Sequence, residues 1–227
     1  MCGRFTLAVD AAELEAAFAL ASQVRLEPRY NIAPTQPVPA VRLGPGGREL
    51  AELRWGLIPR WADDSKIGHR LINARAESVA EKPAFRDAFR HRRCVVPATG
   101  FYEWRKEGKR KLPYLVRRRD GAVFGIAGLW ERWRGPTGPV ESCTLLTRPA
   151  AGPVAQLHDR MPVALRPDEL GPWLDPAADP DGASLALPFD TDAWEAVPVN
   201  PAVNDPKHEG ADCIEPFDAD AGPPSSR

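Results

Sequence analysis

Cysteine is scarce in this chain: four in 227 residues, at positions 2, 94, 143 and 213, with no CxxC pair among them. Such spacing offers neither the paired ligands of a zinc site nor the framework of a disulfide-stapled domain. No metal or cofactor is implied, and Cys94 and Cys143 read as small apolar residues buried in strands. No run of eighteen apolar residues occurs, so the sequence holds no candidate membrane-spanning helix. The opening residues lack a basic segment followed by an apolar stretch, which argues against a secretory leader. A cytoplasmic, reducing setting is therefore expected (nucleoid-associated in a bacterial cell), with no membrane partner. Internal repeats and a dividing linker are also missing. We expect a monomer with one domain over residues 1–217 and a disordered tail over 218–227.

Net charge is close to absent as well, at −1. The balance hides a segregation. Residues 1–135 carry 25 of the 30 Lys+Arg and 15 of the 31 Asp+Glu, a net of +10, and the remainder is net −11. Most of the basic residues are arginine, whose planar fork suits phosphate and whose face stacks on bases. A basic face for a polyanion and an acidic C-terminal part are the expectation.

Hydrophobic patterning places the elements. Residues 3–8 read as a strand, and Asp10 is placed to N-cap a helix over 11–20. Residues 22–39 read as loop, broken by Pro28, Pro34, Pro37 and Pro39. Residues 38–43 and 49–57 alternate like strands around Gly44-Pro45-Gly46-Gly47. Residues 58–76 look irregular. Pro83 suits the first position of a helix running to His91. Strand-like runs fill 94–133, divided at Glu107-Gly108 and Asp120-Gly121, and further strands are read at 142–147 and 194–199. A short helix is read over 167–174 and a Pro/Asp-rich loop over 175–190. The fold class is α+β, a single domain dominated by antiparallel strands.

What the chain does have is a cysteine directly behind the initiator methionine. Removal of Met1 leaves Cys2 with a free α-amine beside its thiol. Ordinary values for these groups are about 8 and about 8.5, so both are usable nucleophiles near neutrality. A 1,2-aminothiol condenses with an aldehyde through its amine, and the thiol then closes a thiazolidine ring in a step made intramolecular by the shared residue. Three further segments combine reactive polar groups with loop-forming residues: Tyr30-Asn31-Ile32-Ala33-Pro34, Gly100-Phe101-Tyr102-Glu103-Trp104 and His158-Asp159-Arg160-Met161-Pro162.

Taken together these segments resemble the SRAP family, the SOS-response-associated peptidases or abasic-site processing proteins. The resemblance spans about residues 2–217. It is carried by CGRF (2–5), YNIAPTQ (30–36), RWGLIPRW (54–61), INARAES (72–78), KPAF (82–85), RRCVVPATGFYEW (92–104), HDRMPV (158–163) and VNDP (203–206). The chain departs from the family pattern around Arg148–Gly152 and in 175–190. The resemblance implies a twisted, mainly antiparallel sheet closing toward a barrel, flanked by short helices. It implies capture of abasic sites in single-stranded DNA by a covalent bond through Cys2, in DNA repair or the SOS response, with replication-fork or SOS proteins as partners. Carried over by position, Cys2 is the nucleophile and Asn31, Glu103 and His158 are its catalytic neighbours. Arg4, Pro34, Trp61, Asn73, Arg75, Thr147 and Arg160 fall at positions expected to line the DNA path.

Those residue types suit the chemistry. An abasic sugar is mostly a closed hemiacetal, and His158 has the right ordinary pKa to move the proton that opens it. Glu103, between two aromatic residues, is a candidate acid for expelling water from the carbinolamine if burial raises its pKa. Asn31 offers an amide to orient the amine. A Schiff base at C1′ also makes an AP-lyase elimination available. Self-processing to expose Cys2 is a further family expectation, although a methionine aminopeptidase suffices where only Met1 precedes a small residue. Two other readings share some of these features. Class II glutamine amidotransferases also open Met-Cys-Gly, and a non-enzymatic single-strand-binding module needs only the basic face.

Overall fold

The computed structural model describes residues 2–108, 110–178 and 190–218. In chain order the strands are β1 (Phe5–Leu7), β2 (Arg29–Ile32), β3 (Pro37–Gly44), β4 (Gly47–Trp55), β5 (Asn73–Arg75), β6 (Arg93–Ala98) and β7 (Gly100–Glu107). They continue with β8 (Arg110–Arg118), β9 (Phe124–Gly135), β10 (Gly138–Pro149), β11 (Arg160–Pro162), β12 (Ala164–Leu165) and β13 (Trp194–Pro198). The helices are α1 (Ala11–Phe18), α2 (Arg86–His91) and α3 (Leu170–Leu174). The alternating runs at 38–43 and 49–57 form the β3–β4 hairpin, with Gly44 facing Gly47 across the turn. The runs over 94–133 form β6 to β9, and the turns fall where Gly108 and Gly121 adopt positive φ.

Closure comes from β10. It pairs antiparallel with β9 and parallel with β4, while β4, β3, β6 and β9 pair in succession, so five strands form a closed ring. A second sheet runs β13-β8-β7-β1-β2. The fold is thus a mainly antiparallel barrel with a second sheet and short helices: the α+β class follows the patterning, and the closure follows what the family resemblance implies. Trp55, Phe5, Phe101, Ile126 and Leu53 are among the fully buried side chains that fill the space between, and the Phe5 ring meets Trp55 edge-on at 5.3 Å.

Asp10 caps α1 by accepting from the Glu13 N–H at 2.8 Å. The helix stops at Phe18 rather than residue 20, because Ala19 turns into the left-handed region. α2 begins at Arg86, three residues beyond Pro83. The stretch 22–39 is not all loop. β2 forms against β1, and Pro37 and Pro39 sit within β3. Both prolines pair with β4, opposite Arg54 and Glu52, and are tolerated because β3 meets β6 only at Val41, which leaves their other side an edge. Residues 58–76 contain β5 and a 3₁₀ turn over Ser65–Arg70. At Gly56 (φ 126°) a Cβ would stand 2.7 Å from the Gly68 carbonyl, so only glycine lets these two segments touch. The expectations for most of 175–190 and for the C-terminal tail lie outside the described residues.

The arginine excess is partly structural. Arg93 is 4% exposed, and its guanidinium donates to the carbonyls of Phe89 and Trp173, at the ends of α2 and α3. Arg117 and Arg119 both pair with Glu195 of β13, so some of the acidic C-terminal charge serves to neutralise β8.

Candidate active site

The segment leading into β1 is fixed from two sides. On one, Phe5 pairs with Phe101 of β7 and the Tyr102 N–H donates to the Arg4 carbonyl at 2.9 Å. Continuing that register sets Gly3 across from Glu103. On the other, the Asn73 side-chain amide donates to the Cys2 carbonyl at 2.7 Å. Asn73 is held in turn by the parallel pairing of β5 with β10, where it faces Leu145. Its Oδ1 is buried and has no hydrogen-bond partner among the described residues.

Cys2 is fully buried, and its thiol lies 3.8 Å from the Arg4 carbonyl. Burial first, and the charge of Glu103 second, push the thiol well above its ordinary range. The sequence expectation of a thiol near its usual value therefore does not hold: at neutral pH it is protonated. Glu103 is 4% exposed. Burial raises its carboxyl to about 7, the positive amino terminus opposing and Asp159 adding to the rise. A carboxyl brought up to about 7 is placed to give and take a proton near neutral pH, which suits an acid that must also act as a base.

His158 follows a 3₁₀ turn over Gly152–Gln156, and its side chain is 32% exposed. Its Nδ1 lies 2.9 Å from the Arg160 N–H and 2.7 Å from the Asp159 carboxylate. The two neighbours make opposite demands, because the N–H needs a lone pair on Nδ1 and the carboxylate needs a proton there. Burial and the amino-terminal charge lower the His158 pKa, which favours the neutral ring with Nδ1 accepting from Arg160 and the proton on Nε2.

Asn31 is not part of this cluster. It is fully buried, its Nδ2 donates to the carbonyls of Val203, Asp205 and His208, and its Oδ1 accepts from Arg4 at 2.6 Å. Every polar atom of the amide is committed to holding the C-terminal segment against β2. The place expected for Asn31, beside the nucleophile, is taken by Asn73. Replacing Asn31 by alanine is expected to strand those groups and cost about 3 kcal/mol, a fall in Tm on the order of 10 °C. A lost activity at unchanged Tm would instead restore a role at the site.

The positions expected to line a DNA path divide. Trp61 is 60% exposed and Arg75 is exposed, so both are free to meet a ligand. Pro34 is half-buried, one residue before Thr35, whose φ is 73°. Arg4 is engaged by Asn31 and by the Val203 carbonyl at 2.9 Å, with its guanidinium 5.8 Å from the Trp104 ring. Thr147 is a correction: at 1% exposure it has no surface to offer, and its hydroxyl donates to the Ala74 carbonyl. Arg160 is bound to Glu77 through both carboxylate oxygens and to the Thr147 carbonyl, so it braces β11 on β10. Trp61→Ala is expected to weaken DNA binding by about 1–3 kcal/mol, the worth of one stacked base, at unchanged Tm.

Among the described residues one group with metal-ligand chemistry lies outside this cluster. His208, Asp212 and Cys213 bring ligand atoms within 4.8 Å. The His208 Nε2 is already bonded to Asp212 at 2.7 Å, and burial pushes the Cys213 thiol up to about 11. Those contacts pin the loop that holds Asn31, and a protonated thiol is a poor ligand.

A family model described as SOS response associated peptidase (SRAP) matches residues 1–206. The chain belongs to the SRAP family. It is 41% identical over 225 residues to abasic site processing protein YoaM of Bacillus subtilis, covering 95% of this chain and 98% of that protein. It is 30% identical over 227 residues to abasic site processing protein YedK of Escherichia coli, covering 95% and 100%. A crystal structure of a Bacteroides thetaiotaomicron protein superposes with a TM-score of 0.85 at 28% identity, over 95% of this chain and all of that one. The SRAP blocks CGRF, INARAES and GFYEW are the ones that supply Cys2, Asn73 and Glu103. What the sequence reading missed was which asparagine they recruit. The signal available was the spacing of Asn73 and Arg75, two apart and therefore on one face of a strand.

Proposed function

We propose that this protein captures abasic sites in single-stranded DNA through a covalent bond between Cys2 and the C1′ aldehyde. The observation that carries the reading is the burial of Cys2 beside Glu103, whose carboxyl burial raises to about 7, with the strand-borne Asn73 amide on the Cys2 carbonyl. The names of the SRAP relatives support the substrate.

The steps follow from the groups present. Loss of Met1 frees the α-amine. His158 takes the proton of the C1′ hydroxyl as the C1′–O4′ bond breaks and returns it to O4′, which leaves as the 4′-hydroxyl, so the open aldehyde forms and the histidine is regenerated. The amine attacks C1′ to give a carbinolamine, and protonated Glu103 donates the proton with which hydroxide leaves as water. The resulting iminium is attacked at C1′ by the Cys2 sulfur, and the thiol proton passes to the ionised Glu103. A C–N and a C–S bond form, one water is released, and Glu103 is regenerated. The high pKa of the thiol orders these events. A protonated, buried thiol is a weak nucleophile toward a neutral aldehyde, so the amine reacts first, and the iminium charge then favours sulfur attack. The Asn73 amide, already on the Cys2 carbonyl, keeps the aminothiol in place with its Oδ1 open to the amine.

The test is denaturing electrophoresis of the protein with single-stranded DNA carrying one abasic site, no reductant added. A lesion-dependent shifted band is expected. Its absence, from protein shown by mass to lack Met1, would sink the reading and leave glutamine hydrolysis as the next assay.

A further inference from the structure

The β9–β10 hairpin carries a basic hollow far from Cys2. Arg60, Arg92, Arg132, Arg134 and Trp130 line a cavity of about 550 Å³. Its arginines differ in how they are used. Arg92 is paired with Glu131 and Asp87, and Arg60 lies 3.9 Å from Asp87. Arg132 and Arg134 are exposed, stand two apart on β9 and so share a face, and make no ion pair or side-chain hydrogen bond among the described residues. Glu141, opposite Arg132 in the ladder, is engaged by Arg42, so two guanidiniums without an ion pair among the described residues share one face of a strand, over a concave floor with an indole in its wall, and fit phosphate oxygens.

The hollow is connected to the site by the chain itself. β10 starts at its rim, at Gly138, and reaches Thr147, which pairs with Arg75 of β5. At ~3.3 Å per residue those ends are about 30 Å apart. Trp61 lies between them: the Ile58 N–H donates to Ser142 Oγ at 2.8 Å, and Trp133 Nε1 donates to the Ala62 carbonyl at 2.6 Å. The exposed indole is therefore fastened alongside β10, with Arg60 of the hollow as its immediate neighbour. We infer that the hollow is a second phosphodiester-binding site, taking the DNA backbone about nine nucleotides from the captured lesion at ~3.4 Å per stacked nucleotide. The inference rests on the reading of this protein as one that binds abasic single strands.

The experiment is equilibrium anisotropy with strands bearing a tetrahydrofuran lesion, which has no aldehyde to cross-link. A short strand of about five nucleotides is compared with one of about twenty-five, across a salt series. The long strand reaches the hollow and the short one does not. For the R132A/R134A double variant the salt slope on the long strand is expected to fall by about 1.4, two contacts at ~0.7 each, with no change on the short strand. The R132K/R134K variant, which keeps the charge, is expected to retain most of the slope, and all three proteins to melt together. Equal slopes for wild type and R132A/R134A on the long strand would overturn the inference, and so would an equal loss on both lengths. Because this assay needs no aldehyde, its failure is separate from failure of the cross-linking assay above.

Discussion

Exchange of Cys2 for alanine is expected to abolish the denaturation-resistant adduct with abasic single-stranded DNA, while binding to the same strand changes by a few-fold at most. The adduct needs both nucleophiles on one residue. Alanine retains the amine, so a Schiff base still forms, but an imine hydrolyses under denaturing conditions, whereas a thiazolidine carbon is saturated and protected by the ring. Serine at the same position separates the steps further. Its hydroxyl is a much weaker nucleophile toward the iminium, which persists and acidifies the C2′ protons, so strand cleavage by β-elimination should rise above the wild-type level. Electrophoresis on two gels, one for the shifted protein and one for the nicked strand, reads both outcomes. A full-strength adduct from Cys2→Ala would place the covalent bond elsewhere. Nicking by Cys2→Ser at or below the wild-type level would argue against a shared imine.

Glu103→Gln is expected to slow adduct formation by about 10²–10⁴-fold, the usual worth of a positioned acid–base group. Glutamine fits the same space but supplies no proton to the departing water and takes none from the thiol. The pH dependence distinguishes this from a packing defect. Protonated Glu103 is lost as pH rises through about 7, so the wild-type rate should carry a falling limb there that the variant lacks. Stability shifts in a related way. The folded-state value of about 7 exceeds the usual 4.5, so the folded chain holds a proton that the unfolded chain releases. Stability therefore falls as pH rises from about 4.5 to about 7 and is level above, by about 3 kcal/mol over the window. Glu103→Gln removes that dependence, and denaturant midpoints at pH 5 and pH 8 should differ less in the variant. A wild-type rate for Glu103→Gln at every pH would remove Glu103 from the chemistry.

The parts of the fold that were legible in the sequence are those set by neighbours along the chain. Alternation and glycine turns mark the β3–β4 hairpin and the run from β6 to β9, and Asp10 marks the start of α1. Barrel closure was legible only through the family resemblance. The pairings that make it, β10 with both β9 and β4, join residues such as Cys143 and Trp55 that no local pattern connects. The site divides in the same manner. Cys2 stands out by its place directly behind Met1, whereas Glu103 and His158, in segments that are not distinctive alone, were legible only through the family resemblance. Asn31 and Asn73 offer identical amides in equally polar surroundings, and only three-dimensional pairing tells a brace from a neighbour of the nucleophile. Family position placed Thr147 on the DNA path, but its burial and its bond to the Ala74 carbonyl turn it inward. Charge misled for Arg93, because a guanidinium that caps carbonyls counts toward net charge as fully as one that meets solvent.

The residues that hold the amino-terminal strand come from the far end of the chain: Val203 carries Arg4, and Asp205 and His208 carry Asn31. In order of synthesis this brace therefore follows Cys2 by 199 positions or more, counted from Arg4 to Val203. Under the chemistry proposed above, with Met1 lost, Cys2 is an aminothiol open to small aldehydes until that brace forms. β7 and Asn73 hold the segment first, and the brace on Arg4 and Asn31 closes only once residues 203–208 are present. Premature termination before that point yields a chain that keeps the reactive group and loses the brace around it. Under the proposed chemistry, competence to trap a lesion waits for those residues, and small-aldehyde adducts at Cys2 should accumulate on chains stalled before them and be scarce on chains that contain them.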